Sequence, residues 1–258
     1  MGAVTNRHLW LRRSPWLVAV VALAMVASGY SSSPPAPPPN GDLTNLRVPA
    51  SIRDLPRTNQ ENQAVTLASW PGKTILLVPF LTLCQDVCPM TTGNLLHVER
   101  ALQVDHASSR VQIVELSVDP QRDTPARLAA YQQLTSLDWQ LVTETPQNLA
   151  AISKFFGFYY QVTKEDNPPG IDWWTGQPLT YDVDHSDGFV VINPHGTERF
   201  FTAAAPNFHG RLPAALKRFL SALGRQHLKH PATPNYTPSY VLQALGWSMN
   251  RSLPLGNG

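Results

Sequence analysis

The sequence predicts an α/β domain, a mixed sheet flanked by helices with an inserted loop or hairpin before the last strands. Three observations carry that prediction. Thr74–Phe80 and Val111–Val118 are compact apolar runs of strand length. Each leads into a segment that opens like a helix, with Thr or Pro ahead of helical spacing. Asn193-Pro194-His195-Gly196 then separates two further strand-like runs, as a turn between antiparallel neighbours does.

Taken in order, Val65–Leu67 and the Trp70-Pro71-Gly72-Lys73 turn predict a hairpin leading into Thr74–Phe80. Pro79 donates no ladder hydrogen bond, so that strand is expected to end or bulge there. Pro89, Thr91 and Thr92 start a helix carrying Leu95, Leu96, Val98, Ala101 and Leu102. After the strand Val111–Val118, Thr124-Pro125 opens a helix over Ala126–Leu134. Trp139–Val142 reads as strand, Pro146–Phe156 as helix, and Tyr159–Val162 as strand. A Pro/Gly/Trp-rich excursion follows from Asn167 to Pro178. Gly188–Ile192 and Glu198–Thr202 flank the turn, and Leu212–Leu223 is expected as one closing amphipathic helix.

The ends read differently. Arg7, Arg12 and Arg13 precede an apolar run from Trp16 to Ala27, then small residues, so 1–29 is expected to be an export signal or an N-terminal anchor. The expected location is extracytoplasmic, in the cell envelope or periplasm. Val26–Gly29 with Ser31–Ser33 resembles the end of a bacterial lipoprotein signal, yet Tyr30 stands where such a signal needs its acylated cysteine. Membrane attachment is therefore left to the N-terminus itself. The stretch 30–57 is expected to be a Pro/Ser-rich linker, 58–225 the domain, and 226–258 a tail. In that tail the apolar patch Tyr240–Trp247 can dock as a short helix or bind a partner. Net charge is +2, and no basic cluster interleaves with aromatics, which argues against a nucleic-acid surface.

Chemistry concentrates at Cys84 and Cys88, the chain's two cysteines. Spacing of four sets them on one helix face or across a loop-to-helix junction. A helix N-terminus favours thiolate, which is both a soft metal ligand and a nucleophile for disulfide exchange. A local structural disulfide would constrain little chain entropy, and zinc would want a fourth ligand. A third ligand could be histidine. His8 lies in the signal region, His97 and His106 on or near the helix after the cysteines, and His195 in the turn. His209 precedes the last helix, and His227 and His230 lie in the tail. His185, just before the strand Gly188–Ile192, is a candidate ligand or an ordinary loop histidine.

The element order, with a cysteine pair at the tip of the first central strand, is thioredoxin-like. Three blocks carry a closer resemblance: Cys84-x-x-x-Cys88-Pro89, Ser117-Val118-Asp119-Pro120-Gln121-Arg122-Asp123-Thr124-Pro125, and Val183-Asp184-His185-Ser186 before Ile192-Asn193-Pro194-His195-Gly196. Over about Asn59 to Gly224 the chain resembles the Sco/SenC family. The resemblance implies copper, Cu(I) or Cu(II), bound by Cys84, Cys88 and His185. It also implies a role in assembling the copper centre of cytochrome c oxidase, with that enzyme's copper-bearing subunit as partner and thioredoxin-like reductants as further partners. Asp119 and Asp123 are read as turn and cap residues holding the loop beside the site. Asp86 is read as a tuner of thiolate basicity or as a plain surface carboxylate. Two features depart from the family: Gln85 replaces a common proline, and Pro79-Phe80-Leu81-Thr82-Leu83 replaces an aromatic, glycine-rich approach.

Two functions compete on this reading. One is a copper metallochaperone. The other is a thiol-disulfide reductase, acting on oxidase subunit cysteines or on peroxide with Cys84 and Cys88 as redox pair. Reductases of this fold usually separate their cysteines by two residues; here three intervene, which favours copper.

Overall fold

The chain joins its sheet earlier than its composition suggests. Residues 42–57, expected as linker, form strand β1 (Asp42–Arg47), a helical turn α1 (Ala50–Arg53) and the first residue of β2 (Arg57–Asn59). Val48, Ile52 and Arg57 are buried there. β1 lies at the sheet edge with one strand neighbour, so it needs no apolar run to be held, and its Leu43 and Leu46 stay exposed. The structure, a computed structural model, describes residues 1–2 and 35–254. Apart from those first two residues, the expected signal or anchor over 1–29 lies outside the described residues, as do Tyr30 and Ser31–Ser33. No helix among the described residues is long and apolar enough to cross a membrane.

β3 (Ala64–Val65) hairpins with β2, and the Trp70–Lys73 turn, with Gly72 at φ +75°, delivers the chain into β4 (Thr74–Phe80). All seven residues of β4 are buried. α2 (Cys88–Val104) carries the chain back to β5 (Val111–Ser117), parallel to β4 from Thr74↔Val111 to Phe80↔Ser117. α3 (Pro125–Thr135) leads to β6 (Gln140–Thr143), parallel to β5, and α4 (Pro146–Phe156) follows. Thr124 and Thr145 cap these two helices by accepting the N–H of Arg127 and Asn148, each with proline in the first turn.

β7 (Tyr160–Thr163) and β8 (Asp182–His185) pair as a separate antiparallel ribbon around the insertion. β9 (Phe189–Ile192) and β10 (Thr197–Thr202) form the expected hairpin, and β9 runs antiparallel to β4. The eight-stranded order is β1-β10-β9-β4-β5-β6-β2-β3. This is the thioredoxin-like mixed sheet, flanked by helices, that the element order predicts. Short strands β11 (Ala205–Pro206) and β12 (Asn235–Tyr236) pair beside it.

Two expectations fail for physical reasons. Pro79 neither ends nor bulges β4. The Phe80 carbonyl accepts the Val118 N–H on the β5 side, so alternation turns Pro79 toward β9, whose pairing stops at Leu77. The missing donor falls where no acceptor is waiting. The helix expected over Leu212–Leu223 is broken into α5 (Ala214–Lys217) and α6 (Ala222–His227). Ser221 starts the second piece, its hydroxyl accepting the Gly224 N–H, while its own N–H goes to the Gln85 carbonyl (2.8 Å).

The tail docks. α7 (Pro238–Ser248) places Val241, Leu242, Ala244 and Leu245 in the core against α2 and β9. Leu245→Ala is expected to cost about 2–5 kcal/mol, read from urea unfolding. Beneath α2, the fully buried Glu115 carboxylate accepts from Trp139 Nε1 (2.8 Å) and the Thr92 hydroxyl (3.1 Å). Burial outweighs these bonds and raises its pKa from 4.5 to about 7. A carboxyl raised on folding contributes its stability below the unfolded value and loses it as pH rises through the folded one. Stability is therefore expected to fall from about pH 5 to about pH 8, by on the order of 1–3 kcal/mol from this group. The fall should shrink in Glu115→Gln, measured by urea unfolding at both pH values.

Candidate metal centre

Cys88 is fixed by the helix it begins. Val87, at the N-cap, has no side chain able to accept a hydrogen bond, and Pro89 occupies the first turn. The Cys84 sulfur takes that place, accepting the Cys88 N–H at 3.4 Å. The pair thus straddles a loop-to-helix junction, one of the two geometries its spacing allows. Cys88 is buried, Cys84 half-buried, and both are free thiols.

His185 arrives from the opposite side as the last residue of β8, placed by its pairing with Tyr160. Its Nε2 lies 3.3 Å from the Cys88 sulfur, and its Nδ1 is 2.7 Å from the Ser186 carbonyl. A carbonyl can only accept, so Nδ1 carries the proton and Nε2 faces the sulfurs. The two sulfurs and a ring nitrogen of His185 all lie within 4.8 Å of one another. The structure brings together all three residues singled out in the sequence. Among the other histidines, His97 stacks edge-on against Phe208, and His227 pairs with Asp86; His8 lies outside the described residues.

The site is electrically uneven. At Cys84 a hydrogen bond from the Cys88 side chain outweighs burial, and with help from His185 it holds the thiol well below its usual range. Burial, and then the neighbouring Cys84, push Cys88 well above it. Burial works to lower His185, but hydrogen bonding to Cys84 and the charge there win, raising it to about 9. One thiolate, one thiol and one imidazole that shares a proton with sulfur can hold a soft ion of low coordination number, releasing protons as it binds.

The second sequence block serves this geometry. Asp123, fully buried, accepts from the Thr82 hydroxyl (2.5 Å), the Thr82 N–H (3.2 Å) and the Ser117 hydroxyl (2.6 Å). It pins the approach to Cys84 and is not the helix cap; Thr124 is. Asp119 pairs with Arg122 and accepts from the Tyr181 hydroxyl (2.9 Å). Arg122 also donates to the Tyr181 carbonyl (2.8 Å) and lies over its ring, which steadies the start of β8 and so His185. Trp173, from the insertion, donates to the Thr82 carbonyl (2.9 Å).

A cleft of about 680 Å³ opens over Cys84 and His185, with Asp86, Asp182, Asp184 and Asp187 along it. Burial raises the Asp187 carboxyl to about 6, against the pull of His185. Asp86 is neither a bare surface carboxylate nor a neighbour acting on sulfur alone: it is half-buried and bonded to His227 Nδ1 at 2.6 Å. Sequence reading missed that partner, since a histidine 141 positions away in a tail carries no local signal.

A family model described as SCO1/SenC matches residues 53–218. The chain belongs to the SCO1/SenC family. It is 30% identical over 129 residues to the mitochondrial SCO2 homologue of Bos taurus, covering 50% of this chain and 45% of that protein. Over 141 residues it is 28% identical to the SCO1 homologue of Bacillus subtilis, covering 54% and 66%. SenC of Rhodobacter capsulatus is 34% identical over 112 residues, covering 43% and 44%. A solved structure of Bradyrhizobium japonicum ScoI with copper bound is 26% identical, covering 70% of this chain and 98% of that one, with a TM-score of 0.48. The chain spans about half the length of the mitochondrial SCO2 homologues it matches.

The unequal thiols are testable by alkylation. With iodoacetamide at about neutral pH and peptide mapping, Cys84 is expected to react at least about tenfold faster than Cys88.

Proposed function

We propose that this SCO1/SenC family member binds copper through Cys84, Cys88 and His185. It hands that copper to the copper-bearing subunit of cytochrome c oxidase from an extracytoplasmic position. One observation carries the reading: two sulfurs and a ring nitrogen converge within 4.8 Å of one another, in a family whose named members include copper-bound proteins. Thiolates select Cu(I), and an imidazole whose other nitrogen is tied to the Ser186 carbonyl is already oriented to ligate. Copper is cargo here. The half-buried Cys84 and the open cleft above it leave a path for it to a docked acceptor.

A second reading has its own observation. The depressed Cys84 thiol suits it to attack a disulfide or a peroxide, with Cys88 resolving the mixed species. On this reading the chain is a thiol-disulfide reductase for oxidase subunit cysteines, recharged by a thioredoxin-like reductant.

Titration of reduced protein with Cu(I) against a competing chromophoric ligand separates the two. The expected result is one equivalent bound, affinity reduced at least about tenfold in His185→Ala, and transfer to an apo oxidase copper domain. Absence of binding, or equal affinity in the variant, overturns the copper reading. Reductive turnover that survives His185→Ala and ignores copper establishes the second.

A further inference from the structure

The loop between the cysteines is gripped by a segment lying beyond the family-matched residues 53–218. The Ser221 N–H donates to the Gln85 carbonyl at 2.8 Å. One turn on, Gly224 lies so close that a Cβ there would come 2.5 Å from the Gln85 oxygen and 3.0 Å from the Asp86 Cα. At the end of α6, His227 Nδ1 donates to Asp86 Oδ1 at 2.6 Å. The loop is also held from the insertion, where the Gln85 amide donates to the Ile171 carbonyl at 3.2 Å.

Cys88 cannot easily move. It is 2% exposed, within the first turn of a seventeen-residue helix, with its sulfur against His185. Closing a disulfide brings two sulfurs to roughly 2.05 Å, so the movement has to come from Cys84 and the loop behind it. That loop is what Ser221, Gly224 and His227 hold.

We propose that residues 221–227 form a strap that keeps the inter-cysteine loop in its open dithiol geometry, with His227 as a positioning residue acting through Asp86. The purpose of the strap rests on the copper reading, since an open trio is what a metal ion requires; the grip itself does not. Releasing the strap lets Cys84 approach Cys88. Disulfide closure then removes two protons and two electrons from the pair, and in a glutathione buffer glutathione disulfide accepts them and becomes two glutathione molecules.

The test equilibrates the full-chain protein in glutathione buffers and quantifies dithiol and disulfide forms by alkylation and mass spectrometry. His227→Ala is expected to raise the equilibrium constant for disulfide formation about fivefold, the net scale of one partly exposed hydrogen bond. Its side chain is a third exposed, so the fold should survive the change, which circular dichroism checks. His227→Asn, whose amide can donate to Asp86 from nearly the same place, should recover most of the shift. Asp86→Ala should reproduce it, with no further effect in the double variant. An equilibrium within about twofold of wild type in both single alanine variants overturns the strap. So does an asparagine variant as altered as the alanine one, or full additivity of the two alanine changes. Copper titration of the wild type runs alongside. Failure to bind copper ends the copper reading while leaving the thiol equilibrium to decide the strap.

Discussion

The Cys84 half of the candidate metal centre hangs from one buried carboxylate. Asp123 draws the two strand ends together by accepting from Thr82, two residues past the end of β4, and from Ser117, the last paired residue of β5. A carboxylate without solvent is costly unless its lone pairs are occupied, and three donors converge here to occupy them. That requirement fixes the backbone at Thr82, two residues before Cys84, and leaves the loop to the helix little freedom. A few residues back, Asp119 does the same for the other half of the site through Arg122 and Tyr181. The second sequence block contributes no ligand. It sets the separation between the segments that carry Cys84 and His185.

This arrangement explains why the two thiols differ. Cys88 is placed by helix α2 and cannot leave the core, so it bears the full cost of burial. Cys84 is placed by the loop, caps the helix with its sulfur, and receives hydrogen bonds that stabilise charge. A pair of equivalent thiols would offer either two protons or none; this pair offers one sulfur ready to ligate and one that must still release its proton.

Most of the sheet was legible because its central strands are buried on both faces and read as unbroken apolar runs. Thr74–Phe80, Pro146–Phe156 and the hairpin about Asn193–Gly196 needed no tertiary knowledge. What escaped was held by partners distant in sequence. β1 is polar and depends on β10 alone, and β8 is a strand only through β7. His185 therefore reads as a loop residue until its ribbon is seen. Cys84 and Cys88 were legible as chemistry, but their junction geometry was one of two possibilities until Val87 proved unable to cap the helix. The Asp86–His227 pair had no sequence signature at all, because neither residue lies in a motif that names the other.

The residues outside the family-matched stretch matter to the site through two routes. α7 packs Val241, Leu242 and Leu245 into the core beside α2, so the helix that carries Cys88 is buttressed by the tail. The segment between, from Ser221 to His227, lies across the loop that carries Cys84. One extension therefore steadies both cysteines, one through apolar packing and the other through hydrogen bonds. These contacts differ in strength and in reversibility. Core packing yields only with global unfolding, whereas a half-exposed histidine–carboxylate pair can open locally at small cost. Fixing Cys88 with the first kind of contact and Cys84 with the second leaves one thiol immobile in the core and the other free to shift with its loop.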